Sequence, residues 1–151
     1  MTKRRLGTLC LLAIGAVLVL SSCGGGSKRL SKDQYATKAD TLCAAFNKQV
    51  KAAGSPKTVA AIAAAYEKLL SLDRTLVADL RKLKPPANEE KAVTRVLALS
   101  DEQLSRAEKV IAALKKNDLT KASALVSEGS TNTTARKTIY QQLGIKECAN
   151  S

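Results

Sequence analysis

The sequence predicts an all-α fold, an up-down-up-down four-helix bundle over residues 31–148. In four segments of the 151-residue chain, apolar residues recur at spacings of three and four, and no segment alternates with the period of a strand. Glycine and proline, at 8 and 3 residues, are too few for the many turns of an all-β fold. The segments are joined by short loops, and short loops make neighbouring helices antiparallel.

The first predicted helix begins after Ser31 and ends at Gly54. Ser31 and Gln34 have the spacing of a capping box, in which each side chain satisfies a free backbone N–H of the first turn. Gly54 suits the left-handed conformation that often terminates a helix. The apolar residues between them share one face: Tyr35, Ala39, Leu42, Phe46 and Val50.

The second predicted helix has Ser55 as its N-cap and Pro56 at its first position, where the missing N–H costs nothing. It runs for about 28 residues, or about 42 Å, until Pro85-Pro86 ends it. Its apolar face consists of Val59, Ile62, Tyr66, Leu69, Leu72 or Asp73, Leu76, Leu80 and Leu83.

Asp73 interrupts this face, and two positions for it stay open. It follows Leu69 by four residues, so it could enter the core; the face also closes through Leu72, which leaves Asp73 at the margin. If Asp73 points inward, an antiparallel hairpin centred on Pro86 brings it level with Ser100. A buried carboxyl group with a hydroxyl partner would form a polar layer or a small binding site.

The third predicted helix begins near Asn88 and ends at Lys115 and Lys116, where the helix dipole favours cations. Its buried face is Val93, Leu97, Ser100, Leu104, Ala107, Ile111 and Leu114. The fourth begins at Leu119 after Asp118 as N-cap, and Gly144 caps its end, followed by apolar Ile145. Residues 127–134 are poor helix formers, so this helix is either bent or broken there.

Residues 1–22 have the composition of a cleaved signal peptide. Three basic residues precede an uncharged stretch over residues 6–20, which is shorter than the roughly 20 apolar residues of a membrane span. The ending, Leu20-Ser21-Ser22-Cys23, resembles the lipobox of bacterial lipoprotein precursors at all four positions. The resemblance implies cleavage before Cys23 and a diacylglycerol on its sulfur. The alternative is an ordinary signal or short anchor in which Cys23 is incidental.

The lipobox resemblance implies a protein anchored by lipid to the outer face of the bacterial cell membrane. Residues 23–30 then hold the lipidated cysteine and a tether, because their Gly-Gly-Gly-Ser run is typical of flexible coil. The domain follows over residues 31–148, with a tail at 149–151.

Of the four cysteines, Cys10 leaves with the signal peptide and Cys23 carries the lipid. The two that remain, Cys43 and Cys148, predict one disulfide, since disulfides persist in exported proteins. A reactive thiol or a two-cysteine metal site is the alternative, and both lack a histidine partner. A bond to Cys43, well inside the first helix, requires that the fourth helix stop short or that its tail double back along the first.

The mature part resembles the small, alanine-rich helical lipoproteins of Gram-positive bacteria. The shared features are the lipobox, the tether, a cysteine in the first helix, and a cysteine just after a terminal Leu-Gly, here Leu143-Gly144 and Cys148. The resemblance implies a topology and a location, and it brings no catalytic residues.

No catalytic residues, metal site or cofactor are predicted. The absence of histidine removes the commonest general base and metal ligand. Of the 25 Lys and Arg, three lie in residues 1–22, so 22 remain against 13 Asp and Glu, a net charge of +9. This charge suits anionic lipid head groups or an anionic envelope polymer; a solubilising surface without a partner is the alternative, and nucleic acid is not expected in this compartment.

The functional prediction is therefore a non-enzymatic, lipid-anchored module that binds or scaffolds at the cell envelope, with an unknown protein partner. A carrier of a small apolar ligand is the first alternative, and a cavity of about 300 Å³ or more between the helices would favour it. An enzyme is the second.

Overall fold

The computed structural model describes residues 28–150, and every regular element in that part of the chain is helical. The predicted signal peptide, Cys23 and the glycine run lie outside the described residues. The helices are α1 (Lys32–Ala52), α2 (Val59–Lys82), α3 (Glu90–Lys115), α4 (Leu119–Glu128), α5 (Ser130–Gln142) and α6 (Lys146–Ala149), with a 3₁₀ turn, Ala87–Glu89, before α3. The all-α prediction is confirmed. Among residues 28–150, no helix is long and apolar enough to cross a membrane.

The capping box predicted at the start of α1 is present. The Ser31 hydroxyl oxygen accepts the Gln34 N–H at 3.2 Å, and the Gln34 side-chain oxygen accepts the Ser31 N–H at 3.0 Å. Gly54 follows the end of the helix with φ +68°, the left-handed conformation expected of it. Tyr35, Ala39 and Cys43 are the buried residues of α1.

The predicted start of α2 is wrong by three residues. Thr58, not Ser55, is the N-cap, and its side chain accepts the Ala61 N–H at 3.2 Å. The apolar face begins at Val59, and Lys57 is exposed, so an earlier helical turn would bury little more. The C-terminal end at Lys82, ahead of Pro85-Pro86, agrees with the prediction.

Three ion pairs fix the register and direction of α2 against α3. They join Glu67 to Lys115, Arg74 to Glu108 and Arg81 to Asp101. The residue numbers rise by seven along α2 and fall by seven along α3, so the two helices are antiparallel, and the step is that of a heptad. Each pair is exposed, so the ladder contributes more to register than to stability.

The central helix is α3, which packs against α2, α4 and α5. Its buried residues include four predicted ones, Val93, Ser100, Ile111 and Leu114, whereas the predicted Leu97, Leu104 and Ala107 are half-buried. Four other α3 residues are also buried: Val96, Leu99, Val110 and Ala113. Because α3 has neighbours on several sides, its buried surface is wider than one apolar stripe.

The predicted fourth helix is broken at Gly129 into α4 and α5. Gly129 is buried against α3: a Cβ on it would lie 3.2 Å from the Val126 carbonyl oxygen and 3.4 Å from the side chain of Arg106. Gly129, the residue between α4 and α5, therefore leaves room for α3 because it has no side chain.

The chain turns sharply after α5, and its tail returns along α1. Gly144, at φ +77°, and Ile145 donate their N–H groups to the carbonyls of Gln141 and Tyr140, the pattern of a Schellman cap. Lys32 donates to the Gln142 carbonyl at 3.1 Å, whereas further along α1 Asp40 accepts the Glu147 N–H at 2.7 Å. This is the doubled-back tail that the sequence offered as one way to bring Cys148 to Cys43.

The buried residues form two clusters. The larger joins α1, α6, the end of α5 and the adjoining halves of α2 and α3, and it includes both cysteines, Leu143 and Ile145. Within it burial, helped by the nearby Tyr140 phenol, raises the pKa of Tyr35 to about 12. The smaller cluster lies between α2, α3 and α4: Ala63, Val110, Ala113, Leu114 and Ala122.

Candidate functional site

The N-terminal segment is attached to the domain before α1 begins. The Leu30 N–H donates to the Lys84 carbonyl at 2.9 Å, in the loop between α2 and α3. Arg29 pairs with Glu90 at 2.9 Å and donates to the Pro85 carbonyl at 3.2 Å. The last two residues of the predicted tether are therefore held on the domain, at the end where α2 stops and α3 starts.

Cys43 and Cys148 lie at disulfide distance, with their Cα atoms 5.2 Å apart, inside the range that the bond requires. Both are buried, at 1% and 4% exposure. Asn47 reinforces the contact between α1 and α6 by donating to the Glu147 carbonyl at 3.0 Å. The burial of both sulfurs disfavours a reactive thiol, which needs access to its substrate. In residues 28–150 no cluster of three His, Cys, Asp or Glu side chains could hold a metal ion.

No hydrogen bond joins Asp73 to Ser100, the two described residues of the predicted polar site. Asp73 is half-buried on α2. The Ser100 hydroxyl is 1% exposed and donates to the Val96 carbonyl of its own helix at 2.9 Å. The loop between α2 and α3, residues 83–89, is centred on Pro86 as the sequence predicts.

Asp73 faces α5 instead, where Arg136 is its charged neighbour. Desolvation raises the pKa of Asp73 above its ordinary 3.8, and the positive charge of Arg136 opposes the rise in part. The folded chain thus holds a proton on Asp73 more tightly than the unfolded chain does. The free energy of unfolding consequently falls as pH rises from 3.8 through the higher folded pKa.

We expect Asp73→Asn to remove this pH dependence. Subtracting the unfolding free energy of the wild type from that of the variant should give a difference that increases as pH rises above about 4. The change from carboxyl to amide can shift this difference by a constant amount, but it does not alter the trend with pH. Urea denaturation of both proteins at several pH values measures the difference. Asp79→Asn, a surface acid on the same helix, is the control. A difference for Asp73→Asn that falls with pH would mean that the folded state prefers the charged carboxylate.

Two polar residues of α5 that were not among the predicted site residues also lie in this region, Asn132 buried and Arg136 half-buried. Asn132, 7% exposed, donates from its amide nitrogen to the Leu99 carbonyl and to the Glu102 carboxylate, both at 3.1 Å. Its side-chain oxygen and the Nε of Arg136 are buried without hydrogen-bond partners. The sequence did offer a signal for these two residues. Asn132 and Arg136 precede the buried Tyr140 by eight and four residues, so all three lie on the same face of α5.

The break at Gly129 opens a cleft of about 400 Å³ where α2, α3, α4 and α5 meet. Its apolar part comes from α3 and α4: Ala107, Val110 and Val126. Val126 is 51% exposed and is one of the two large apolar side chains of the described region that are open to solvent. Of these three residues Val126 is open to solvent, whereas Ala107 is half-buried and Val110 is buried.

Arg106 is the charged residue of this cleft. Its half-buried side chain lies against Gly129 and donates to the Gln103 side-chain oxygen at 3.3 Å. Arg106 forms no ion pair with any residue of the described chain. Tyr66 and Ser130 also line the cleft. The hydroxyl groups of Thr133 and Thr134, two further lining residues, donate to the carbonyls of Gly129 and Ser130.

Comparison of the chain with protein-family models, with characterised proteins and with solved structures gave no match.

Proposed function

We propose that the chain is a lipid-anchored lipoprotein on the outer face of the bacterial cell membrane, with a non-enzymatic helical domain that binds or scaffolds there. The observation that carries the proposal is the attachment of Arg29 and Leu30 to the loop between α2 and α3. The domain begins six residues after Cys23, a stretch of at most about 20–22 Å. A lipid on Cys23 would hold this end of the domain next to the bilayer.

The cysteine pair supports the exported location. A pair at disulfide distance in a cytosolic protein would be kept reduced, whereas an exported protein retains the bond. The bond would join the returning tail to α1. A cross-link of this kind adds most to the stability of a domain that is too small to have an extensive hydrophobic core.

For the fold we propose the up-down-up-down bundle, with α4 and α5 together as its fourth helix. Support comes from the antiparallel ladder between α2 and α3 and from the packing of both α4 and α5 on α3. The return of α6 along α1 joins the fourth helix to the first.

The charge at the tethered end favours anionic head groups as the partner. Lys28 and Lys91 flank the Arg29–Glu90 pair in sequence, and the Lys84 carbonyl accepts the Leu30 N–H. All three lysines are exposed and form no ion pair within the described chain. Each basic residue close to an anionic leaflet contributes about 1 kcal/mol. Arg29 adds little, since Glu90 neutralises it. An anionic envelope polymer would use the same charges.

Replacing Cys23 with Ala is expected to abolish lipid attachment and to move the protein from the membrane fraction to the soluble one after signal removal. Cys10→Ala, which changes a cysteine earlier in the same segment, should leave both unaffected. Mass spectrometry of the mature N-terminus and fractionation in salt measure the two effects. A lipid-free wild-type N-terminus, or membrane retention of Cys23→Ala after its signal is removed, would contradict the proposal.

The carrier role remains a second candidate because the cleft at Gly129, at about 400 Å³, exceeds the volume that the sequence analysis required for it.

A further inference from the structure

The cleft at Gly129 combines an apolar wall with one unpaired cation. The described chain has six cation–acid pairs. One of them joins Lys82 to Asp79 on the same helix. The other five join different parts of the chain, and their cations are Arg29, Lys32, Arg74, Arg81 and Lys115. Arg106 takes part in none of them although it is half-buried. Placing a guanidinium away from water without an anion is unfavourable, so an anionic group brought to it would be stabilised.

Arg106 also borders a second cleft, which contains three carboxylates. Asp101 is paired with Arg81, and Glu102 accepts a hydrogen bond from Asn132. Glu128, exposed and outside any ion pair of the described chain, is the remaining acid there. The cleft at Gly129 shares Arg106 with this second cleft, but none of its lining residues is an acid.

We propose that the cleft at Gly129 binds a small organic anion, with its carboxylate, phosphate or sulfonate on Arg106 and its apolar body against Ala107 and Val126. A guanidinium offers two parallel N–H donors to such a group, and the Tyr66 and Ser130 hydroxyls of the same cleft can donate to it as well. The volume of about 400 Å³ leaves room for a compact apolar body. The alanine and valine wall favours its burial.

This inference gives a ligand class to the binding role of the proposed module, and it revises the carrier alternative from an apolar ligand to an anionic one. It uses only residues of α2, α3, α4 and α5. It therefore does not depend on lipid attachment at Cys23.

The test compares benzoate with benzamide, its uncharged analogue, by titration of the full chain. Methyl NMR spectra of Ala107, Val110 and Val126 report occupation of the cleft. We expect benzoate to shift these signals to saturation and benzamide to bind at least about tenfold more weakly, the loss that follows when a charge-assisted hydrogen bond is removed. The Cys23→Ala chain should give the same affinities, which separates this result from the anchoring experiment.

The decisive variant is Arg106→Gln, which should weaken benzoate at least about tenfold and leave benzamide unchanged. Arg106→Lys keeps the charge without the planar guanidinium, so its affinity for benzoate should lie between those of the wild type and Arg106→Gln. Arg95→Gln, an exposed arginine of the same helix outside the cleft, should behave as the wild type, and Glu128→Gln should strengthen benzoate. Equal affinities of benzoate for the Arg106→Gln and Arg95→Gln chains, or no saturable shift of the three methyl groups, would overturn the proposal.

Discussion

Breaking the bond between Cys43 and Cys148 is expected to lower the free energy of unfolding by about 2–5 kcal/mol. The two residues are 105 positions apart in the chain, and a cross-link over a loop of that length restricts the unfolded ensemble by about 4.7 kcal/mol in the chain-entropy model. For a domain of this size the corresponding fall in Tm is about 10–20 °C. In the reduced chain α6 would be held on α1 by packing in the larger cluster and by hydrogen bonds from Asn47 and to Asp40.

Thermal and urea denaturation of the oxidised and reduced wild type measure this loss directly. The matched control is the double variant Cys43→Ala with Cys148→Ala, whose stability should not respond to the reductant. Each single alanine variant should lose nearly as much as the double variant, because one bond can be removed only once. Additive small losses, or an unchanged Tm on reduction, would show that the two sulfurs are not joined in the purified protein.

The parts of the fold that sequence reasoning found are those whose signals are local. The Ser31 capping box, the Asp118 N-cap and the Gly144 cap each depend on a few neighbouring residues, and all three are present. The start of α2 was missed because Ser55 and Thr58 both offer a capping oxygen, and only burial of the face that begins at Val59 distinguishes them. The four-residue helix α6 is too short to show a period.

The parts that sequence reasoning could not find depend on register between helices. The position of the hairpin turn placed Asp73 level with Ser100, but it could not show that Arg136 of α5 would be the charged neighbour of Asp73. Arg106 and Gly129 are likewise distant in sequence and meet only through packing of α3 on α4 and α5. The sequence did mark residues 127–134 as a weak helical segment, and the candidate cleft opens there.

Truncating Leu143 to Ala is expected to cost about 2–5 kcal/mol, the range observed for large-to-small changes at well-packed sites. Leu143 is 1% exposed in the larger cluster and precedes the Gly144 turn that sends the tail back along α1. A cavity at this position removes contacts from α5 and weakens the turn that positions Ile145 and Cys148. The substitution therefore weakens both the packing of the core and the positioning of the cysteine pair.

Leu119→Ala is the matched control, because it deletes the same atoms from a leucine that is 51% exposed. It should change the free energy of unfolding by less than about 0.5 kcal/mol. Urea denaturation of the two variants with the cysteine pair intact gives both values, and an unchanged slope against urea shows that the comparison is of stability alone. Similar small losses for Leu143 and Leu119 would mean that the end of α5 is loosely packed. In that case the tail would be held on α1 by the cysteine pair and not by the core.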